Sequence, residues 1–213
     1  MILDLIKEAE TIFWDFDGVI KDSVSVKSDA FEELFQPFGN EVSIKVKKHH
    51  EENGGMSRFD KLPIYLEWAR KNSSKKLVLE YETKFSELVM QQVVDSPWVA
   101  GVLDYLEKNA NKQQFFIVTA TPNGEIIKIL EELKITGLFK HVIGSPTSKK
   151  IAIKQLLSKY KIKLEHALMI GDSKADYDAA IENKVQFILR NTELNKKLQK
   201  QLKCKKINNF LNE

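Results

Sequence analysis

The stretch FWDFDGVIKDS, residues 13–23, decides how the rest of the chain is read. It overlaps the apolar run TIFWDF (11–16), which is short, rich in aromatic and β-branched residues, and predicts a buried strand. Two carboxylates, Asp15 and Asp17, stand at its end, and Gly18 follows, free to let the chain turn sharply. Like charges repel, and a dry strand end is a costly place for either of them. Their pairing therefore predicts a site, with positive charge brought to it from elsewhere.

Between residue 24 and about residue 94 there is no convincing strand. The segments SDAFEELFQPF, SRFDKLPIYLEWARKN and KKLVLEYETKFSELVMQQVV have helical periodicity, with breaks at Pro37–Gly39, at NGG (53–55) and at NSS (72–74). Ser28 and Ser57 stand where helix N-caps are expected. From Pro97 onward, strands and helices alternate. VAGVLDYLEKNA, NGEIIKILEELKI, KKIAIKQLLSKY and KADYDAAIENK read as helices, and QFFIVTA (114–120), HVIGS (141–145), HALMIGD (166–172) and VQFILR (185–190) as strands. This alternation predicts parallel βαβ units and an α/β fold: a doubly wound, Rossmann-like parallel sheet. The helical block then reads as an all-helical cap domain, residues 23–94, inserted over the C-terminal edge of a core built from residues 1–22 and 95–213. Ser23–Val24 and Asp95–Trp98 are the expected hinges.

The bulk composition narrows the function. With 213 residues, 43% of them hydrophobic, the chain can bury one core with a smaller insert. A net charge of +3 gives little reason to expect nucleic acid. No apolar run approaches a membrane span. The segment MILDLIKEAET is too acidic for a secretory signal and reads as a short amphipathic helix. One cysteine, Cys204, allows no internal disulfide, so a cytoplasmic protein is expected, with a monomer the simplest state. Six lysines between 196 and 206 read as a solvated terminal helix, with a docking patch the alternative.

In an open parallel sheet, ligands bind outside the carboxyl ends of the strands. The first strand delivers Asp15 and Asp17 there, and the second delivers Thr119, Ala120, Thr121, Pro122 and Asn123. The third leads through GSPTS to Lys149 and Lys150, and the fourth delivers Asp172, Ser173 and, a turn later, Asp176. Each signal alone has a plain alternative: a chance DxD, a strand-end threonine, a surface lysine, a Gly-Asp turn. Together, after successive strands, they specify a site. Several carboxylates tolerate one another around a hard divalent cation such as Mg²⁺, which leaves positions for water and phosphate. A lysine, a hydroxyl and backbone N–H groups can hold the remaining phosphate charge.

DFDGVI, FFIVTAT, the lysine opening KKIAIKQLL, and GDSKADYDAA resemble the four motifs of the haloacid dehalogenase superfamily of phosphohydrolases, and the resemblance covers the whole chain. It implies that Asp15 is the nucleophile forming an aspartyl-phosphate and that Asp17 is the general acid/base. Thr119 and the N–H of Ala120 would hold the transferring phosphate. Lys149, preferred over Lys150 by the spacing of Ala152, Ile153, Leu156 and Leu157, would bridge that phosphate and Asp15. The implied Mg²⁺ ligands are Asp15, Asp17 through its carbonyl, and Asp172, with Ser173 and Asp176 behind them. The presence of Asp17 marks phosphate chemistry, since members that remove halide from carbon lack that aspartate.

NGGMSRFDKL (53–62) resembles a cap segment of the β-phosphoglucomutase-like group, in which the arginine reaches the distal end of the substrate. Arg58 is thus either a substrate anchor or a helix-start arginine paired with Asp60 or Glu67. Asn123 would also meet substrate. Pro122 stands where sugar phosphomutases of this type carry a basic residue, and Lys27 where they carry a histidine. Both departures favour hydrolysis. His49 and His50, adjacent on a helix, make a poor chelate and are expected to face solvent. The expectation is a Mg²⁺-dependent phosphatase of a small phosphorylated metabolite, a sugar phosphate or phospho-acid. A phosphomutase and a catalytically idle ligand-binding or scaffold protein are the alternatives.

Overall fold

The computed structural model describes residues 2–211. Six parallel strands, β1 (Thr11–Trp14), β2 (Gln114–Pro122), β3 (His141–Ser145), β4 (Ala167–Gly171), β5 (Gln186–Arg190) and β6 (Lys205–Ile207), form one sheet in the order β3-β2-β1-β4-β5-β6. Thr11–Trp14 pairs with Gln114–Ile117 on one side and with Ala167–Ile170 on the other. A central strand covered on both faces has no polar face, and all four β1 residues are buried. Its alternation still separates two cores: Ile12 and Trp14 join one, with Phe115, Ile117 and Ile170, while Phe13 joins the other, with Phe116, Val118 and Met169. The chain winds outward from β1 through β2 and β3, then returns to the other side of β1 with β4. The crevice lies at that reversal, where Asp15 follows the end of β1.

The helices are α1 (Ile2–Glu8), α2 (Val24–Phe35), α3 (Asn40–Glu52), α4 (Arg58–Trp68), α5 (Lys75–Asp95), α6 (Val102–Asn109), α7 (Asn123–Glu132), α8 (Lys149–Tyr160), α9 (Lys174–Glu182) and α10 (Lys196–Gln201). Helices α2–α5 pack on one another around aromatic rings: Phe31 stacks on Phe85 at 3.9 Å between centroids, and Phe35 meets Tyr65 edge-on at 5.6 Å. Ser57 caps α4, accepting from Phe59 N at 3.3 Å. Ser28 is not a cap, because α2 starts at Val24, directly after the connector, and the Ser28 hydroxyl donates to Val24 O at 3.0 Å. The two connectors run side by side: Asp22 N donates to Pro97 O at 2.8 Å and Val99 N to Ile20 O at 3.0 Å. The buried Lys21 ammonium bonds Val94 O at 2.9 Å.

The lysine-rich end differs from its reading as a solvated helix. Helix α10 stops after six residues, and the chain then adds β6 to β5. Leu198, Leu202 and Cys204 pack on the second core, and Phe210 lies 5.4 Å from the Trp14 ring. These apolar residues, spread among the lysines, supply the burial that a solvated helix lacks. Lys205 and Lys206 then sit on an edge strand, where charge discourages further strand pairing. Among the described residues, no helix is long and apolar enough to cross a membrane.

Candidate active site

Asp15 N donates to Ile170 O at 2.9 Å, so the neighbouring strand determines where the carboxylate emerges. Oδ1 accepts from Phe16 N at 2.8 Å, and Oδ2 lies 2.7 Å from Lys149 Nζ. Lys149, the first residue of α8, also donates to Asp176 Oδ1 at 2.6 Å. Burial, with the Asp176 charge adding to it, pushes the Asp15 carboxyl up to about 7, and Lys149 opposes this only in part. For Lys149 itself, burial acts downward, but Asp15 and Asp176 outweigh it and hold the ammonium above the usual lysine range.

Asp172, at the end of β4, has no ion pair or side-chain hydrogen bond among the described residues. Burial, followed by the charges of Asp15 and Asp176, raises its pKa well above the ordinary value. One oxygen from each of Asp15, Asp172 and Asp176 lies within 4.8 Å of the others. Asp176 is already committed: Oδ1 takes the lysine, and Oδ2 accepts from Ser173 N at 3.1 Å and Ser173 Oγ at 2.6 Å. Asp15 keeps one contact on each oxygen, so Asp172 is the open carboxylate of the three, and a hard, oxygen-seeking divalent cation fits beside it and Asp15. Gly18, at φ +74°, approaches so closely that a Cβ there would overlap the Asp172 carboxylate.

The side chain of Asp17 is occupied otherwise. Oδ1 accepts from Ser23 Oγ at 2.6 Å, and Oδ2 from Lys27 Nζ at 2.5 Å and Thr121 Oγ1 at 2.9 Å. Burial works to raise its pKa, but the Lys27 charge and these three hydrogen bonds together hold it below the usual carboxylate value. Lys27 belongs to the cap, so the cap holds one of the two strand-end aspartates.

A cavity of about 50 Å³ lies between the two layers. Asp15, Asp17, Thr119, Ala120, Lys149 and Asp172 line its core side, and Lys27, His50, Arg58 and Lys61 its cap side. Arg58 donates to Glu125 through both terminal nitrogens, at 2.8 and 2.6 Å, and to Ser86 Oγ at 2.6 Å. Glu125 lies in the first turn of α7, so this bidentate pair crosses from cap to core. The loop before α4 seats on the start of α9: a Cβ on Gly55 would overlap Ser173 Oγ and Ala175 Cβ.

With this geometry in view, comparison with known proteins is direct. Residues 12–190 match the family model described as haloacid dehalogenase-like hydrolase. The chain belongs to that family. Among solved structures it is similar to a haloacid dehalogenase-like family hydrolase, SP0104, from Streptococcus pneumoniae (20% identity, 94% of each chain covered, TM-score 0.68). It is also similar to β-phosphoglucomutase from Clostridium difficile (18% identity, 95% of this chain and 92% of that one, TM-score 0.73). A third is CbbY from Rhodobacter sphaeroides in complex with xylulose 1,5-bisphosphate (13% identity, 95% of each chain, TM-score 0.76). At these identities the structural likeness concerns the fold. Among curated proteins, none matches the sequence.

The four strand-end groups of this hydrolase meet in one place. Asp15, Asp17, Thr119, Ala120, Lys149 and Asp172 line the cavity, while Ser173 and Asp176 lie just behind it, joined in a capping box. Of the two adjacent lysines, Lys149 reaches Asp15, whereas Lys150 is exposed and pairs with Glu182. Three readings need correction. Asn123 is exposed, accepts from Gly144 N at 3.0 Å and does not line the cavity, because the last turn of β2 directs it to the β3 backbone. Arg58 pairs with Glu125, not with Asp60 or Glu67, because it is buried at a seam that its own helix does not supply. His50 is buried against Phe31 and bonded to Lys61, and only its neighbour His49 keeps partial exposure, 3.0 Å from Tyr65 OH.

Sequence reasoning brought Thr121 to the site without giving it a role, and it missed Glu125, His50 and Lys61. Thr121 carried a signal, since it stands in the strand-end run VTAT beside Thr119. The other three carried none, because helix packing alone brings them inward.

Proposed function

We propose that this protein is a Mg²⁺-dependent phosphatase that hydrolyses a small phosphorylated metabolite, a sugar phosphate or short phospho-acid, through an aspartyl-phosphate on Asp15. One observation carries the reading. A buried carboxylate at the sheet's reversal point bears a lysine on one oxygen and stands beside a second buried carboxylate that has no cation partner among the described residues. Asp15 and Asp172, with the Asp17 carbonyl, would hold Mg²⁺, which when bound neutralises the acids and polarises a phosphoryl oxygen.

The chain's own groups divide the work as follows. Asp15 attacks phosphorus, the ester P–O bond breaks, and the leaving oxygen takes a proton through Asp17. Water then attacks the aspartyl-phosphate, gives a proton to Asp17 and releases phosphate. Lys27, hydrogen-bonded to Asp17, favours the ionised form needed for that second half and is the nearest proton source for the first. Lys149 holds Asp15 and would offset phosphoryl charge, while Thr119 and Ala120 N–H would hold phosphoryl oxygens. The helical block would close over the site about its two connectors and exclude water. Because both sides of the cavity come from one chain, the reading requires only a monomer, and its lone cysteine suits the cytoplasm.

A phosphomutase would share this chemistry, but Pro122 lacks an N–H for a second phosphate and Lys27 is spent on Asp17. The parent protein should hydrolyse an aryl phosphate with Mg²⁺ and lose turnover in excess chelator. Asp15→Asn should lower turnover by on the order of 10³-fold or more. Turnover surviving in Asp15→Asn would remove the covalent route. ³²P found on a second sugar hydroxyl, and not in inorganic phosphate, would replace the phosphatase with the mutase.

A further inference from the structure

Among the cations lining the cavity, three have carboxylate partners. Lys149 has Asp15 and Asp176, Lys27 has Asp17, and Arg58 has Glu125. Lys61 has none among the described residues. It is 1% exposed, and its ammonium meets only His50 Nδ1, at 2.9 Å. An ammonium held away from water without a counter-charge is unfavourable, and a fold keeps one only where an anion is to arrive or where a neutral amine is tolerated. We propose that Lys61, with His50, is the specificity site of this phosphatase for a carboxylate on the substrate, so that the preferred substrate is a short phosphorylated hydroxy acid. This rests on the phosphatase reading above.

Three observations converge on the proposal. First, Arg58 already holds Glu125 through both of its terminal nitrogens and is not a free anion receptor. Second, Lys61 as an ammonium can only donate to Nδ1, which would put the His50 proton on Nε2, so in that state the pair would offer donors and no competing acceptor. Third, the cavity of about 50 Å³ has room for roughly four water molecules. So small a space favours the shortest phosphate esters over a sugar ring or a second phosphate. The groups facing Lys61 are Lys27 of α2, His50 of α3, Arg58 of α4, and Asp17 and Lys149 of the core. Burial, then Lys27 and Arg58, bring the Lys61 ammonium down to about 7. An arriving carboxylate would restore its charge.

The test compares matched substrates: phosphoglycolate against ethyl phosphate, and 3-phosphoglycerate against glycerol 3-phosphate. The parent should prefer each acid by at least tenfold in kcat/KM. Lys61→Met should reduce that ratio to near one, mainly through KM, and Lys61→Arg should retain most of it. A parent that hydrolyses an aryl phosphate but shows no acid preference would overturn the inference and leave the phosphatase standing. So would an acid preference that survives in a folded Lys61→Met, or a preference for bisphosphates over both acids. A parent with no phosphatase turnover would overturn the function itself.

Discussion

The two walls of the cavity differ in how their charges are settled. On the core wall, Lys149 is shared by two carboxylates, and the one acid left over, Asp172, is the acid a cation would take. On the cap wall the surplus is positive. Lys27 and Arg58 pair with carboxylates of the core, and Lys61 has no carboxylate partner among the described residues. On the proposed reading, the core wall serves a reaction common to every phosphate ester, and the cap wall selects among them. Neither is complete alone, since the cap holds Asp17 and the core holds Arg58.

The comparison can be broken most severely at Lys149. Lys149→Met leaves two buried carboxylates, Asp15 and Asp176, without their lysine, and turnover of an aryl phosphate should fall by on the order of 10³-fold, with added Mg²⁺ failing to restore it. Lys150→Met, which loses only the exposed contact with Glu182, should stay within about twofold of the parent. Equal losses in the two variants, by steady-state kinetics, would mean the wrong lysine has been assigned.

A smaller effect is expected at the seam between the walls. Gly55→Val forces a side chain into Ser173 and Ala175, so the cap should seat incompletely while both layers stay folded. KM should rise roughly tenfold with thermal stability nearly unchanged, because lid closure, not folding, is obstructed. A lowered melting temperature with unaltered KM would show that Gly55 serves folding instead.

The smallest effect sharpens the contrast through stability. The Lys61 ammonium titrates at about 7 in the fold against 10.5 ordinarily. Between those values the unfolded chain carries the proton and the native chain does not, so stability rises with pH. The penalty is therefore full below about pH 7 and fades toward pH 10. Lys61→Met should raise the melting temperature of the ligand-free protein by roughly 5 °C at pH 7, with the gain shrinking as pH rises. A gain that is independent of pH would trace to packing, not to charge.

The core wall was legible because its chemistry follows strand ends. Once TIFWDF, QFFIVTA and HALMIGD read as parallel strands, Asp15, Thr119 and Asp172 had to emerge at one edge. Lys149 was legible only in part: the helix pattern of KKIAIKQLL favoured it, and the structure separates it from Lys150 by burial. The cap wall resisted. Among 33 lysines and arginines, nothing local distinguishes Lys61 from solvated neighbours, and Lys27 stood out only through the resemblance. His50, expected outside, turns inward because Phe31 and Lys61 meet it there. The lysine-rich tail misled for the opposite reason: its charge density hid the apolar residues that build β6 and seat Phe210.

By itself, then, the sequence determined the parallel sheet, the helical insert and the acids delivered at the sheet's edge, because period-2 and period-3.6 burial and strand-end positions are local properties. Only the tertiary structure decided which cations pair across the seam and which one is left over. Pairing of that kind depends on the rotation of each cap helix and its distance from the core, and those are set by packing between residues far apart in the chain.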